Sequence, residues 1–237
     1  MDARQVVITG ANRGLGLALA RQCCARGDRV WAGVRRPDAA EALHALSPAG
    51  VLPLDMEDEA SIAAFAAMLG GQTDSLDVLV NNAGANSTAF GGTREHSGVL
   101  ELSAEHFMAQ MRLNALGPML LTRALVPLLR TGTSPAVVNI SSQLGALALG
   151  RAHRRDIGYN ASKAALNMIT AATAGDLEAD GIKAVTLHPG WVRTDMGGDE
   201  APLTAEDSAR GILAFVDSLG PEHSGGFYRW DGAQHPW

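Results

Sequence analysis

A chain of 237 residues, 46% hydrophobic and 19% charged, is long enough for one α/β domain and too apolar to remain disordered. A net charge of −6 argues against a protein that works by neutralising nucleic-acid phosphates or by docking on an anionic membrane. The longest uncharged window, 131–150, is broken by Pro135, Asn139 and Gln143 and cannot span a bilayer, and Asp2 and Arg4 lead straight into Val6-Val7-Ile8 with no signal-peptide stretch, so a cytoplasmic location is expected.

Along the chain, apolar bursts alternate with helical patterns. The expected order is strand 5–9, helix 14–26, strand 29–34, helix 39–45, strand 51–54, helix 57–69, strand 78–81 and helix 104–129. Strand 136–140, helix 159–179, strand 184–187, helix 204–218 and a closing strand 226–230 follow. Ser103 is a credible N-cap for the long fourth helix, with Glu105 in its first turn. The strands are near-continuous runs of Val, Ile and Leu, which suits a parallel sheet covered on both faces. The expected fold is therefore α/β: one domain over 1–237, built as a single Rossmann-type doubly wound parallel seven-stranded sheet with helices on both faces. The segments 84–98, 143–158 and 194–203 are expected to be loops bordering a ligand, and the second of these carries Arg151, His153, Arg154, Arg155 and Asp156. Adjacent Cys23 and Cys24 read as a reduced pair, and the seven histidines lack metal-ligand spacing, so no metal is expected.

Several segments carry chemistry. Thr9-Gly10-Ala11-Asn12-Arg13-Gly14-Leu15-Gly16 follows the first strand and opens the first helix, where glycines let backbone approach a pyrophosphate at the helix N-terminus. At the end of the second strand, where an acidic residue would select NAD, the chain reads Val34-Arg35-Arg36. Together with Arg13 these guanidiniums favour NADP(H) over NAD(H), although an exposed basic turn would look the same. Tyr159-Asn160-Ala161-Ser162-Lys163 places a phenol and an ammonium on one helix face, where the ammonium is expected to stabilise tyrosinate and lower the phenol pKa, tuning it for proton transfer near neutral pH. It uses one of two tyrosines and one of two lysines in the chain. Around it stand Ser141-Ser142, Asn114 in mid-helix, and Asn81-Asn82-Ala83-Gly84 after the fourth strand. A serine hydroxyl can hold a carbonyl oxygen, and Asn114 is expected to join a polar network leading through water to Lys163. Asn139 is expected to be structural. Pro189-Gly190-Trp191-Val192-Arg193-Thr194 lies at a strand's carboxyl end, where Val192 backbone suits a carboxamide and Thr194 a pyrophosphate. Asp55, beside Met56, is a candidate partner for an adenine amino group.

In that order and spacing the motifs resemble the short-chain dehydrogenase/reductase family across nearly the whole chain. The 188–198 segment and the Phe227–Trp237 tail are similar to its C-factor and sniffer-like carbonyl reductases. The resemblance implies a catalytic set of Asn114, Ser142, Tyr159 and Lys163. Tyr159 would be the general acid/base in NADP(H)-dependent interconversion of a carbonyl and an alcohol, and Lys163 would also hold the nicotinamide ribose. It implies a small-molecule carbonyl or alcohol substrate and a homodimer or homotetramer packed through the fourth and fifth helices. Ala85, Asn86, Leu144, Trp191 and Met196 are candidates for the substrate wall. The competing reading is a signalling or regulatory protein of the same fold with little turnover.

Overall fold

The computed structural model describes residues 3–93, 97–152 and 156–237. Its strands are β1 (Gln5–Thr9), β2 (Arg29–Val34), β3 (Gly50–Pro53), β4 (Val78–Asn81), β5 (Ala136–Ile140), β6 (Lys183–His188) and β7 (Phe227–Arg229). The helices are α1 (Gly14–Ala25), α2 (Glu41–His44), α3 (Glu59–Gly70), α4 (Ala104–Met111), α5 (Gly117–Leu129), α6 (Ile157–Asp176) and α7 (Ala205–Asp217). All seven strands run parallel in one sheet, in the order β3-β2-β1-β4-β5-β6-β7.

Strand periodicity divides the apolar residues between two cores. Val6, Ile8, Val30, Ala32, Val80, Val138 and Val185 face α1 and α7. Val7, Trp31, Leu79, Val137 and Ala184 face the other way, toward Ile62 and Phe65 of α3 and Leu121, Leu125 and Leu129 of α5. Burial on both faces is why the strands read as unbroken apolar runs. The order reverses between β1 and β4, and in open α/β sheets the crevice for ligands lies at the carboxyl ends beside such a reversal.

Several boundaries differ from expectation. The fourth helix is not one element over 104–129, because a π turn, Arg112–Leu116, separates α4 from α5. Pro118 has no N–H for the Asn114 carbonyl and its ring would press on that oxygen, so the turn widens by one residue. Gly117 then lets α5 lie against Met56, whose carbonyl any side chain at 117 would strike. The expected helix 39–45 is a 3₁₀ turn, Pro37–Ala39, followed by the single turn of α2. Helix α6 starts at Ile157 rather than 159 and stops at Asp176, with a 3₁₀ turn at Glu178–Asp180 closed by Gly181 in left-handed conformation, φ 67°. Neither 84–98 nor 143–158 is plain loop: Ser87–Phe90, Gln143–Gly145 and Leu147–Ala152 form 3₁₀ turns. His153, Arg154, Arg155 and the side chain of Arg151 lie outside the described residues. Ser103 caps α4 as expected, accepting from His106 N–H at 3.1 Å, and both cysteines are free thiols.

Beyond β7 the chain turns back along the strand's outer edge. Arg229 N–H donates to the Ala233 carbonyl at 2.7 Å and His235 N–H to the Phe227 carbonyl at 2.8 Å. The Trp237 carbonyl then accepts from Ala148 N–H at 2.9 Å, joining this tail to the 147–152 turn.

Candidate active site

A cavity of about 1110 Å³ opens at the carboxyl ends of β1, β4, β5 and β6. At one end is the turn between β1 and α1. Gly10 (φ 64°) and Gly14 (φ 52°) adopt left-handed backbone there. A side chain at Gly16 would run into the Gly10 carbonyl and the Asn82 amide. Thr9 Oγ1 accepts from Asn82 N–H at 3.0 Å and Ala83 N–H at 2.9 Å, while Asn82 Nδ2 donates to the Thr9 carbonyl at 2.9 Å. The 82–84 turn is thereby locked to the glycine loop. Beneath it Asn81 Nδ2 donates to Asn139 Oδ1 at 2.8 Å, and Asn139 Nδ2 to Thr170 Oγ1 at 2.8 Å. Asn139 is thus structural, tying β4, β5 and α6 together.

Arg13, Arg35 and Arg36 line the same end of the cavity, with Asp55 and Met56 on its wall. Asp55 Oδ1 accepts from Glu57 N–H at 3.0 Å, which fixes the turn after β3. The segment after β6 closes over from the other side, held by the bridge between Val192 and Leu203. Thr194 Oγ1 accepts from Gly197 N–H at 3.2 Å, and Arg193 donates to the Ala201 carbonyl at 3.1 Å. Arg13 Nη1 lies 2.9 Å from Asp195 Oδ2, an ion pair across the mouth.

At the opposite end stand Ser142, Tyr159 and Lys163. Lys163 Nζ donates to the Ile140 carbonyl at 2.7 Å and sits 5.7 Å from the centroid of the Tyr159 ring. Ser142 Oγ accepts from Leu144 N–H at 3.1 Å beside the Tyr159 phenol. Ser141 points the other way, donating to Asn167 Oδ1 at 2.6 Å inside α6 packing. Burial pushes the Tyr159 phenol up to about 12, with the Ser142 hydroxyl opposing and the charge of Asp156 adding to the rise. Burial also pushes the Lys163 ammonium down to about 8. The phenol is therefore neutral near pH 7, burial outweighing the lowering expected from the Lys163 ammonium.

Every residue expected to bind a cofactor lines this cavity: Gly10, Asn12, Arg13, Gly14, Leu15, Gly16, Arg35, Asp55, Met56, Asn82, Ala83, Gly84, Tyr159, Lys163, Pro189, Gly190, Val192 and Thr194. So do Ala85, Asn86, Leu144, Trp191 and Met196. Asn114 differs. It is fully buried behind the wall, and its Oδ1 and Lys163 Nζ both lie against Gly84. Its Oδ1 accepts from Ala85 N–H at 2.9 Å, and its Nδ2 donates to the Ala85 carbonyl at 2.8 Å and Ser162 Oγ at 3.0 Å. Those bonds form the polar network expected around Asn114 and clamp the wall at Ala85 to α6.

Asp156, His188 and Asp195 also line the cavity, and the sequence reading gave none of them a role. Asp156 holds the left-handed conformation, φ 57°, just before α6, and its carboxylate accepts from Ser87 N–H at 3.3 Å. His188, at the end of β6, is pushed down to about 4 by burial, with His235 and Arg229 adding to the shift, so it is neutral. No spacing in the chain marks these three, since each depends on a loop from a distant segment.

A cradle that tolerates no side chain at Gly16, a helix N-terminus behind it and three arginines at the rim fit a phosphorylated dinucleotide. The short chain dehydrogenase family model matches residues 4–203. C-signal of Myxococcus xanthus is 41% identical over 170 residues, covering 70% of this chain and 95% of that protein. An NADPH-bound carbonyl reductase from chicken fatty liver superposes with a TM-score of 0.90 at 31% identity, and the carbonyl reductase Sniffer of D. melanogaster with 0.90 at 30%. Both superpositions cover 100% of each chain.

Proposed function

The chain belongs to the short-chain dehydrogenase family, and from that premise we propose that it interconverts a small carbonyl compound and its alcohol with NADP(H) in preference to NAD(H). One observation carries the reading: Ser142, Tyr159 and Lys163 meet on one wall of a cavity whose far end holds the glycine cradle and Arg13, Arg35 and Arg36. When bound, the nicotinamide supplies or accepts the hydride. The protein's own residues do the rest. Ser142 holds the substrate oxygen beside the phenol. Tyr159 gives its proton to that oxygen in reduction and takes it back in oxidation, and the Lys163 charge stabilises the tyrosinate left behind. Lys163 also takes the nicotinamide ribose, and Asn114 keeps the wall at Ala85 in register with α6. Ala85, Leu144, Trp191 and Met196 offer an apolar surface to the substrate, which suits an uncharged carbonyl.

Tyr159→Phe keeps the ring and removes the proton donor. Turnover of NADPH with a panel of aldehydes and ketones is expected to fall roughly 100-fold or more, with NADPH affinity nearly unchanged. Near-normal turnover in this variant would defeat the assignment. A second reading, a nucleotide-binding signalling protein with little turnover, draws support from the likeness to C-signal. The same panel separates the two, because a pure binding module would leave NADPH unconsumed by the wild-type protein.

A further inference from the structure

The ion pair between Arg13 and Asp195 has no part in the chemistry above. It joins the glycine loop to the segment after β6, with 2.9 Å between Nη1 and Oδ2. The two side chains are 69% and 80% exposed, so the pair contributes little to holding the fold. Its position is what matters, because both residues line the cavity that Arg35 and Arg36 also line. The partners are unequally fixed. Asp195 sits on a tethered turn: Gly198 N–H donates to the Thr194 carbonyl at 2.9 Å, Gly197 N–H to Thr194 Oγ1, and Val192 bridges Leu203. Arg13 carries its charge on a long side chain that makes no capping bond to α1. A dianionic phosphate arriving at this rim must draw the guanidinium off a carboxylate that stays where it is.

We propose that Asp195 is a specificity-determining residue for the cofactor: it holds Arg13 in a pair that a ribose 2′-phosphate must displace, and so lowers the preference for the phosphorylated dinucleotide below what the arginines alone would give. This rests on the reading that Arg13 serves the 2′-phosphate. Displacement exchanges one charge-assisted hydrogen bond for another, so Arg13 adds less net affinity than an unpaired arginine. A dinucleotide without the phosphate leaves the pair intact and is indifferent to it.

The test is calorimetric titration of the protein with 2′,5′-ADP and with 5′-AMP, neither of which reacts. Wild type, Asp195→Asn and Asp195→Asn/Arg13→Ala are compared, with equal Tm values confirming that these surface changes leave the fold intact. Asp195→Asn is expected to tighten 2′,5′-ADP about three- to tenfold while 5′-AMP stays within about twofold, and adding Arg13→Ala is expected to abolish the gain. An Asp195→Asn variant that binds 2′,5′-ADP no tighter than wild type, or that weakens both ligands, overturns the latch. If the double variant still loses affinity relative to Asp195→Asn, Arg13 keeps its role in such a case. A double variant that binds 2′,5′-ADP as tightly as Asp195→Asn shows that Arg13 never reaches the phosphate, and then the parent reading and the latch fall together.

Discussion

Ser141 and Ser142 are neighbours with opposite fates. Ser141 N–H donates to the Leu187 carbonyl at 2.7 Å, so the β5 ladder runs one residue past the strand and successive side chains still alternate. One hydroxyl is sent into α6 and the next into the cavity. Ser142→Ala is therefore expected to lower kcat/KM at least about tenfold with stability little changed. Ser141→Ala should keep most activity and lose about 1–2 kcal/mol in denaturant unfolding, because Asn167 loses a buried partner. Lys163 carries a pH signature of its own. Its folded value near 8 lies below the roughly 10.4 of an unfolded lysine. Below pH 8 both states are protonated and the folded state bears the whole desolvation penalty. Between about 8 and 10 only the unfolded chain still holds the proton, so this residue's penalty fades as pH rises. Lys163→Met should accordingly gain most on wild type in thermal unfolding at pH 7 and lose that advantage by about pH 10. A pH-independent difference would show that the ammonium titrates normally. The pairing of Tyr159 with Lys163 was legible from spacing, whereas the choice of Ser142 came from the family resemblance. The Asp195 partnership was not legible, because it joins residues 182 apart in sequence through a loop conformation.

Among the elements, the strands were legible almost to the residue, since a doubly covered parallel strand leaves little in its sequence besides apolar side chains and a polar stop. The break between α4 and α5 was harder to see. A π turn inserts one residue without disturbing the apolar stripe on either side, so periodicity alone reads 104–129 as continuous. Pro118 was the visible sign, four residues past Asn114, and its effect falls on the turn that carries the amide to Ala85. Asn114→Ala would remove three hydrogen bonds and leave Ala85 N–H and the Ser162 hydroxyl short of partners. At about 1 kcal/mol each, a loss of roughly 2–4 kcal/mol in urea unfolding is expected with an unchanged m-value, together with reduced turnover. Full stability in this variant would mean the clamp is dispensable.

For the molecule as a whole, the reversal of strand order between β1 and β4 gathers the ends of four strands around one cavity, so filling the cavity should stabilise all of it. Ligand at about 100 times its Kd adds roughly 2.7 kcal/mol, or about 5–11 °C in Tm at this size. NADPH is expected to raise Tm more than NADH at equal concentration. Arg35→Asp should shrink the NADPH shift and preserve or enlarge that of NADH, because a carboxylate there repels the phosphate and can accept from ribose hydroxyls. Equal shifts for both nucleotides in the wild type would defeat the cofactor preference. Fold class was legible at this scale because alternation of strands and helices admits few topologies. Which loops meet over the cavity was not, since 85 meets 114 and 13 meets 195 through loop conformations that local sequence does not set.

The returning tail bears on a different hazard. An open sheet ends in two strands whose outer N–H and C=O groups can recruit a neighbouring molecule. At one margin β3 is short and finishes on Pro53, which has no N–H to offer. At the other, β7 is occupied by its own chain: Tyr228 bridges Gln234 antiparallel, and the rings of His235 and Trp237 pack on Phe227 at centroid distances of 4.4 and 5.5 Å. Residues 231–237 thus shield the margin they cover from strand addition, and the same Trp237 carbonyl that holds Ala148 ties that shield to the 147–152 turn.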